Sequence, residues 1–385
     1  MSSRESALSG SQRPLLSVLV AGAGARPGHS LQLARVLDRI PVLTLLAAAG
    51  TEAEAGVLAE SLLRRPTVRQ LPPGDAGELL DRELDAGGDS HHTALIAGPE
   101  LAAELLAAAL GDLGTGPRPN VDPGGLSILS RRRDGELEAI CVNVDPLDPL
   151  RSAAPGPGSR PRRLYLVRHG ECAIPTPDGR LHSHCDFPLT ARGRGQVEDL
   201  AGEFARLEDV AFLASPIERA GESAAAIAAG RPVEVVAGLA EISLGEFEGA
   251  AINDVYATQP RFLLDGDAGL PGGETPDEVA SRAAAALERG LASHPEPAVV
   301  AVAHGGTNRT AIGRLLGAPP VSALRLRQDW AAVSMLEATP QGWRLAMLNW
   351  TPLGLAELPY ADGAWYGETV ADVEADPKRA GAQTD

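Results

Sequence analysis

The stretch RLYLVRHG, at residues 163–170, places a short apolar run directly before Arg168, His169 and Gly170. An apolar run of this length predicts a buried strand, and the glycine marks the turn that ends it. In the stretch VVAVAHGGTNR, at 299–309, an apolar run is likewise followed by His304 and two glycines. Each stretch predicts a strand that runs directly into a histidine.

Three further segments lie between these two histidines. PLTARG (188–193) predicts the start of a helix, ASPIERAGES (214–223) places Arg219 just after a strand, and LAEISLGEFEG (239–249) supplies Glu241. The two glycines after His304 stand at a strand-to-helix turn, where close approach of the backbone to an anion is the usual reason for glycine. An RHG tripeptide alone is weak, but five segments in a fixed order are specific.

This ordered set resembles the histidine phosphatase superfamily, also called the phosphoglycerate mutase-like family, over about residues 163–350. The resemblance implies that the strand ends converge at the carboxyl edge of one sheet, where open α/β sheets bind ligands. It implies that His169 attacks phosphorus as a neutral imidazole and becomes a phosphohistidine.

The resemblance also assigns the groups that hold the phosphoryl oxygens, namely Arg168, Gly170, Arg219 and His304. The residue types suit this task, because guanidinium groups form planar, bidentate, charge-assisted bonds to phosphate. Phosphoryl transfer depends mostly on positioning and on charge stabilisation at the equatorial oxygens. A cluster of arginine and histidine supplies that positive charge, so we expect neither a metal ion nor a cofactor.

Glu241 is the implied proton donor, which protonates the leaving oxygen and then accepts a proton from water. Glu246 and Glu248 lie close by in the sequence and are competing candidates for the same task. The sequence leaves this choice open.

The segment ECAIPTPDGRLHSHCDFPLT, at 171–190, lies where the family selects its substrate. Pro175 stands near the position of an asparagine that mutases and many sugar-phosphate phosphatases carry, and the mutase segment with tryptophan and paired asparagines is missing. This favours hydrolysis of a phosphomonoester over mutase-type phosphoryl transfer. Arg180, His182 and His184 are candidate contacts for the rest of the substrate, and a solvated polar loop is the alternative.

Composition narrows the class of partner. The 385 residues carry 34 Lys and Arg against 51 Asp and Glu, a formal net charge of −17, which argues against a nucleic-acid backbone as partner. There is no apolar run long enough to span a membrane. The three cysteines have no zinc-site spacing and suit a reducing compartment. We therefore expect a cytoplasmic enzyme with a small phosphorylated substrate, and the alternative is a non-catalytic regulatory protein that binds phosphorylated ligands.

Alternating strands and helices before the linker predict an α/β domain there too. The predicted organisation is a tail (1–13), a first domain (14–144), a Pro- and Gly-rich linker (145–162), the catalytic domain (163–355) and an acidic tail (356–385). Each domain is expected to have three layers, α/β/α, with a largely parallel sheet.

The first domain is predicted to be a degenerate copy of the second. Gly98 and Gly111 are 13 residues apart, as are His304 and Gly317, and Asn143 and Asn349 each follow the second glycine by 32 residues. In this alignment VLVAGAG (18–24) stands opposite LYLVRHG, so the arginine and histidine are lost. A dinucleotide-binding domain and an unrelated α/β domain are the alternatives, and a role in homodimer formation is left open.

Overall fold

The computed structural model divides the chain into two compact units, one built mainly from residues 15–109 and 121–147 and the other mainly from 148–353. It describes residues 15–21, 34, 37, 42–63, 66–71, 75–85, 92–110, 119, 121–131, 137–145, 147–150, 161–173, 180–251, 254, 255, 257, 259, 267–323 and 325–352. None of the helices in this part of the chain is long and apolar enough to cross a membrane.

The first unit alternates strands and helices and then ends in a hairpin. Its elements are β1 (Leu15–Val20), β2 (Val42–Ala47), α1 (Glu52–Ser61), β3 (Thr67–Gln70), α2 (Ala76–Asp85), β4 (His92–Ala97), α3 (Pro99–Leu110), β5 (Leu126–Arg131) and β6 (Leu137–Val144). The strand order is β3-β2-β4-β1-β5-β6. The first four strands of that order are parallel, and β5 and β6 are each antiparallel to their neighbours.

The second unit repeats this alternation with longer helices. Its elements are β7 (Arg162–Arg168), α4 (Ala191–Phe204), β8 (Val210–Ala214), α5 (Glu218–Ala228), β9 (Val233–Val235), α6 (Pro276–Ser293), β10 (Ala298–Ala303), α7 (Gly305–Leu316), α8 (Pro320–Ala323), β11 (Val333–Thr339) and β12 (Gly342–Trp350). The strand order is β9-β8-β10-β7-β11-β12. Here too the first four strands are parallel and the last two antiparallel.

The mixed α/β fold that the alternation predicts is confirmed. β5 and β6 pair antiparallel, and ASPIERAGES carries Arg219 from the end of β8 into α5, as the sequence predicts. Sequence reasoning missed β3 and α2. The side chains of β3 are all exposed, so this strand has no apolar pattern that would reveal it.

Several predictions fall on residues outside the described part of the chain. These are the tail at 1–13, most of the linker at 145–162, the position of Pro175, and the acidic tail at 356–385.

Helix α4 packs its backbone directly against the turn that follows β7. Thr190 caps the helix by accepting a hydrogen bond from the N–H of Gly193. A Cβ on Gly193 would lie 2.0 Å from the carbonyl oxygen of Glu171, and one on Gly170 would lie 2.6 Å from the carbonyl oxygen of Gly193. Only glycine at both positions permits this approach, which fixes the chain immediately after His169.

Two alanine substitutions on α4 should therefore act in opposite directions. We expect Gly193→Ala to lower the free energy of unfolding by about 1–3 kcal/mol, the cost of forcing a methyl group into a packed site. Gly195→Ala should raise it by about 0.5–1 kcal/mol, because its Cβ has nothing within 4 Å and alanine favours a helix. Urea unfolding followed by circular dichroism measures both, and equal effects would contradict the close approach.

Candidate active site

Three parallel strands of the second unit end side by side and present polar residues at one edge. His169 follows β7, Ser215 follows β8 and His304 follows β10. The backbone N–H of His169 donates to the carbonyl of Ala303 (3.0 Å), and that of Ser215 to the carbonyl of Val302 (2.9 Å). The sheet register thus brings His169 and His304 together, and their ring centroids lie 5.1 Å apart.

The hydrogen bonds of His169 define which ring nitrogen carries its proton. Nδ1 lies 2.9 Å from the carbonyl oxygen of Gly170, and a carbonyl only accepts, so Nδ1 is the donor. Nε2 then keeps its lone pair and accepts from Nε of Arg219 at 3.1 Å. The imidazole is oriented so that its basic nitrogen faces a guanidinium group.

Arg219 is 3% exposed, and its other hydrogen bonds go to neutral carbonyl groups. One terminal nitrogen donates to the carbonyl of Cys185 (2.8 Å) and the other to that of Ser183 (2.6 Å). These bonds fix the plane of the guanidinium group without cancelling its charge, so a positive charge is held next to His169.

Arg168 lies against an aromatic ring that sequence reasoning did not identify. Its guanidinium carbon is 3.6 Å from the ring centroid of Trp330, and one of its nitrogens donates to the carbonyl of Gln328 (2.7 Å). The ring of His169 also lies near Trp330, with 5.0 Å between centroids. Trp330 is far from Arg168 in sequence and belongs to no motif, so only the fold reveals this cation–π contact.

His304 is completely buried and is held through one nitrogen. Its Nε2 lies 2.8 Å from the hydroxyl of Ser215, and its Nδ1 has no hydrogen-bond partner among the described residues. Ser215 lies inside the quoted ASPIERAGES segment, so the rule that strand ends meet at one edge was sufficient to identify it.

Burial and the neighbouring cations keep both imidazoles uncharged. The pKa of His169 is held well below its ordinary value by burial, then by its electrostatic interaction with His304 and by the charges of Arg219 and Arg168. Burial likewise lowers the pKa of His304, with the two arginines adding to the effect. At neutral pH His169 is therefore an unprotonated base, because burial and the nearby positive charges both disfavour the imidazolium form.

The carboxylate of Glu241 lies at the amino end of α7, one turn from His304. Its oxygens accept from the backbone N–H of Gly306 (3.1 Å), the N–H of Thr307 (2.9 Å) and the hydroxyl of Thr307 (3.0 Å). A Cβ on Gly306 would come within 2.6 Å of this carboxylate. The second glycine of HGGTNR is thus explained by the close approach of the Glu241 carboxylate, and no bound anion is needed to explain it.

Arg282 on α6 holds the segment that carries Glu241. It donates to the carbonyls of Gly238 and Ala240 at 2.9 Å and to that of Glu241 at 3.0 Å. A bidentate ion pair with Glu274, at 2.6 and 2.7 Å, fixes Arg282 in turn. Glu241 is consequently placed by three hydrogen bonds to backbone on one side and α7 on the other.

The three loop residues predicted to contact substrate have intramolecular partners. His184 bonds through Nε2 to the carbonyl of Glu241 (2.8 Å), close to the predicted centre. Arg180 donates to the carbonyl of Gly249 (2.7 Å), and His182 packs its ring against Phe187. The structure thus connects His184 with the backbone at Glu241, whereas Arg180 contacts the far end of that segment at Gly249 and His182 contacts Phe187 within its own loop.

The fold therefore brings together Arg168, His169, Arg219 and His304 in a buried, positively charged cluster, with the carboxylate of Glu241 at the adjoining helix end. A neutral imidazole whose lone pair faces a guanidinium group is suited to attack an anionic electrophile. The class defined by fold and site is an α/β protein with a positively charged candidate active site at its strand ends.

Comparison with known proteins gives the family. A model of the histidine phosphatase superfamily (branch 1) matches residues 164–351. An acid phosphatase of Mycobacterium tuberculosis is 32% identical over 198 residues, which cover 50% of this chain and 95% of that protein. The chain belongs to the histidine phosphatase superfamily, as its motifs predict, and it is an enzyme of that type.

Two further matches show the range of relatives. A probable phosphoglycerate mutase of Shigella boydii is 29% identical over 190 residues, covering 47% of this chain and 87% of that protein. The solved structure of a mycobacterial glucosyl-3-phosphoglycerate phosphatase is 28% identical, covers 49% of this chain and 98% of its own, and superposes with a TM-score of 0.45. Each match accounts for about half of the present chain.

Proposed function

We propose that the enzyme hydrolyses a phosphomonoester without a metal ion, through a phosphohistidine on His169. The observation that carries this proposal is the buried, unprotonated Nε2 of His169 beside the guanidinium group of Arg219. In the first step Nε2 forms a bond to phosphorus while the bond from phosphorus to the ester oxygen breaks. Water then attacks the phosphohistidine, the N–P bond breaks, and inorganic phosphate leaves.

The phosphoryl oxygens are to be held by Arg168, Arg219 and His304. The N–H of Gly170, which the sequence also predicts to contact them, donates to the hydroxyl of Ser223 at 3.1 Å. Both guanidinium groups are fixed before substrate arrives, Arg168 by Trp330 and Arg219 by two carbonyls. Charge that is already in place stabilises the transition state without reorganisation during the reaction. Nδ1 of His304, buried without a partner in the described structure, supplies a further polar contact.

Glu241 is proposed as the proton donor and acceptor. It protonates the departing ester oxygen and later takes the proton from the attacking water, so protons balance over the cycle. Burial of Glu241 (3% exposed) beside His304's helix supports this choice. Glu246 is exposed, and an oxygen of Glu248 is engaged by three backbone N–H groups.

Mutase-type transfer is the alternative, and the likeness to a probable phosphoglycerate mutase keeps it in view. A mutase must retain its reaction intermediate in the site until a phosphoryl group has been transferred back to the enzyme. The segment at 171–190 lacks the asparagine and tryptophan pattern associated with that task, which favours hydrolysis. Dependence on a bisphosphate primer would identify a mutase.

His169→Ala should abolish hydrolysis of an aryl phosphate, because it removes the nucleophile. We expect the wild-type enzyme to keep its activity in EDTA and to yield an acid-labile phosphohistidine on rapid quenching. His294→Ala is the matched control, since His294 pairs with Glu234 on the surface and should remain fully active.

Wild-type activity in His169→Ala would overturn the mechanism. A wild-type protein that binds phosphate but neither turns over a substrate panel nor forms phosphohistidine would favour the regulatory alternative.

Glu241→Gln should lower kcat by about 10²–10⁴-fold, the usual effect of losing general acid–base catalysis. The loss should shrink with substrates whose leaving group needs no proton, such as nitrophenyl phosphate. Glu246→Gln is the control and should leave kcat unchanged. An equal loss for good and poor leaving groups would mean that Glu241 only positions α7.

Trp330→Leu should lower kcat/KM by about 2- to 30-fold, corresponding to a cation–π contact of about 0.5–2 kcal/mol. Trp330→Phe keeps an aromatic face and should recover most of the activity. Inhibition by orthovanadate should weaken in parallel, because Arg168 is then less well placed. Trp343→Leu, on β12, is the control, and an equal loss in that variant would exclude a specific role for Trp330.

We further propose that residues 14–144 form a non-catalytic copy of the catalytic domain at 163–355, each a three-layer α/β/α domain. The common strand order of the two units supports this duplication. Ala21 donates its N–H to the carbonyl of Ala97 (2.8 Å), as His169 does to Ala303, which aligns Ala21 with His169. The alignment of VLVAGAG with LYLVRHG is therefore displaced by two residues, and Ala21 still replaces the nucleophile.

A pair of hydrogen bonds between an asparagine and an aspartate, which we call the clasp, follows the fourth parallel strand in each unit and supports the duplication independently. The side chain of Asn143 accepts a hydrogen bond from the backbone N–H of Asp122 and donates one to its carboxylate, both at 2.9 Å. The side chain of Asn349 makes the same two bonds with Asp329, at 2.7 and 2.9 Å. Both asparagines have positive φ, 52° and 57°. Because the first unit lacks the nucleophile, His169→Ala in the full chain should leave no residual phosphatase activity.

A further inference from the structure

Three side chains of different chemistry meet where the segment 181–186 lies against Glu248. One ring nitrogen of His182, the sulfur of Cys185 and a carboxylate oxygen of Glu248 all lie within 4.8 Å of one another. Glu248 follows Cys185 by 63 residues, so the cluster is assembled by folding and does not appear as a sequence motif.

The two ring nitrogens of His182 lack the hydrogen-bond partners that buried polar atoms need. Both of its ring nitrogens are buried and have no hydrogen-bond partner within the described structure. The ring packs edge-on against Phe187, with 5.2 Å between centroids. A buried polar atom without a partner destabilises the folded protein, and coordination of an ion by one nitrogen would remove part of that cost.

Glu248 fixes the backbone that carries the other two side chains. Its Oε1 accepts from the N–H groups of Ser183 (2.7 Å), His184 (3.1 Å) and Cys185 (3.3 Å). These three bonds place His182 and Cys185 on a frame built around the carboxylate. One carboxylate oxygen of Glu248 lies in the cluster as a candidate ligand, so the donors are organised before an ion arrives.

We propose that His182, Cys185 and Glu248 bind a divalent cation of the zinc class. Mixed sulfur, nitrogen and oxygen donors suit Zn²⁺, and three protein ligands leave a fourth position for water. Zinc bonds of about 2.0–2.3 Å place tetrahedral ligands about 3.3–3.8 Å apart, so small side-chain rotations suffice to close the cluster. The thiol loses its proton as the metal–sulfur bond forms.

The ion would fix a segment that is already joined to the active site, without entering the phosphoryl transfer. The carbonyls of Ser183 and Cys185 accept from Arg219, and His184 bonds to the carbonyl of Glu241. The site goes beyond the proposed hydrolysis and stands whether or not that proposal holds.

Cobalt titration of the reduced, full-length protein tests the site. One equivalent of Co²⁺ should produce a thiolate-to-cobalt charge-transfer band in the near ultraviolet. Cys185→Ser should abolish the band, and His182→Ala should weaken cobalt binding by at least about tenfold. Cys172→Ala is the control, because Cys172 lies outside the cluster and should leave the band unchanged.

Glu248→Gln is chosen as a variant that should still fold, because the amide oxygen of glutamine can accept hydrogen bonds from the same three N–H groups. This variant should keep the wild-type circular dichroism and bind cobalt at least about tenfold more weakly. The proposal fails if the wild type shows no charge-transfer band, if the band survives Cys185→Ser, or if the folded Glu248→Gln binds as the wild type does.

Discussion

The candidate active site depends on a buried guanidinium group, that of Arg219, whose partners among the described residues are all neutral. Arg219 bonds to two carbonyls and to the lone pair of His169, and Arg168 lies on the face of Trp330. A carboxylate partner would stabilise the buried Arg219 more strongly, but it would also cancel the field that the proposed anionic substrate needs. The neutral partners of Arg219 keep that field, which together with burial keeps His169 unprotonated.

The sheet makes this concentration of charge possible. Parallel strands β7, β8 and β10 share a register through backbone bonds, so the residue after each strand has little freedom to move away. The contact between α4 and the turn after β7 fixes the chain on the other side of His169. The sheet and the packing of α4 therefore fix the backbone from which the charged side chains extend.

The sequence predicted those parts of the fold and site that rest on local patterns. Apolar runs that end in histidine and glycine located β7 and β10, and the strand-end rule brought His169 and His304 together. Trp330, the carbonyls that hold Arg219, and the cluster at Glu248 were missed. These contacts join distant segments through backbone groups or through a single ring, and no local pattern encodes either.

The proposed duplication separates what the fold requires from what the chemistry requires. An asparagine at positive φ, bonded twice to an aspartate, closes the turn before the last hairpin in each unit, and a replacement there would destabilise the whole unit. A nucleophile at a strand end contributes nothing comparable to folding, because Ala21 makes the same backbone bond as His169. Under the proposed duplication, a copy released from catalysis is therefore expected to keep the bonds between asparagine and aspartate and to lose the histidine. The first unit has those bonds, and Ala21 makes its strand-end backbone bond.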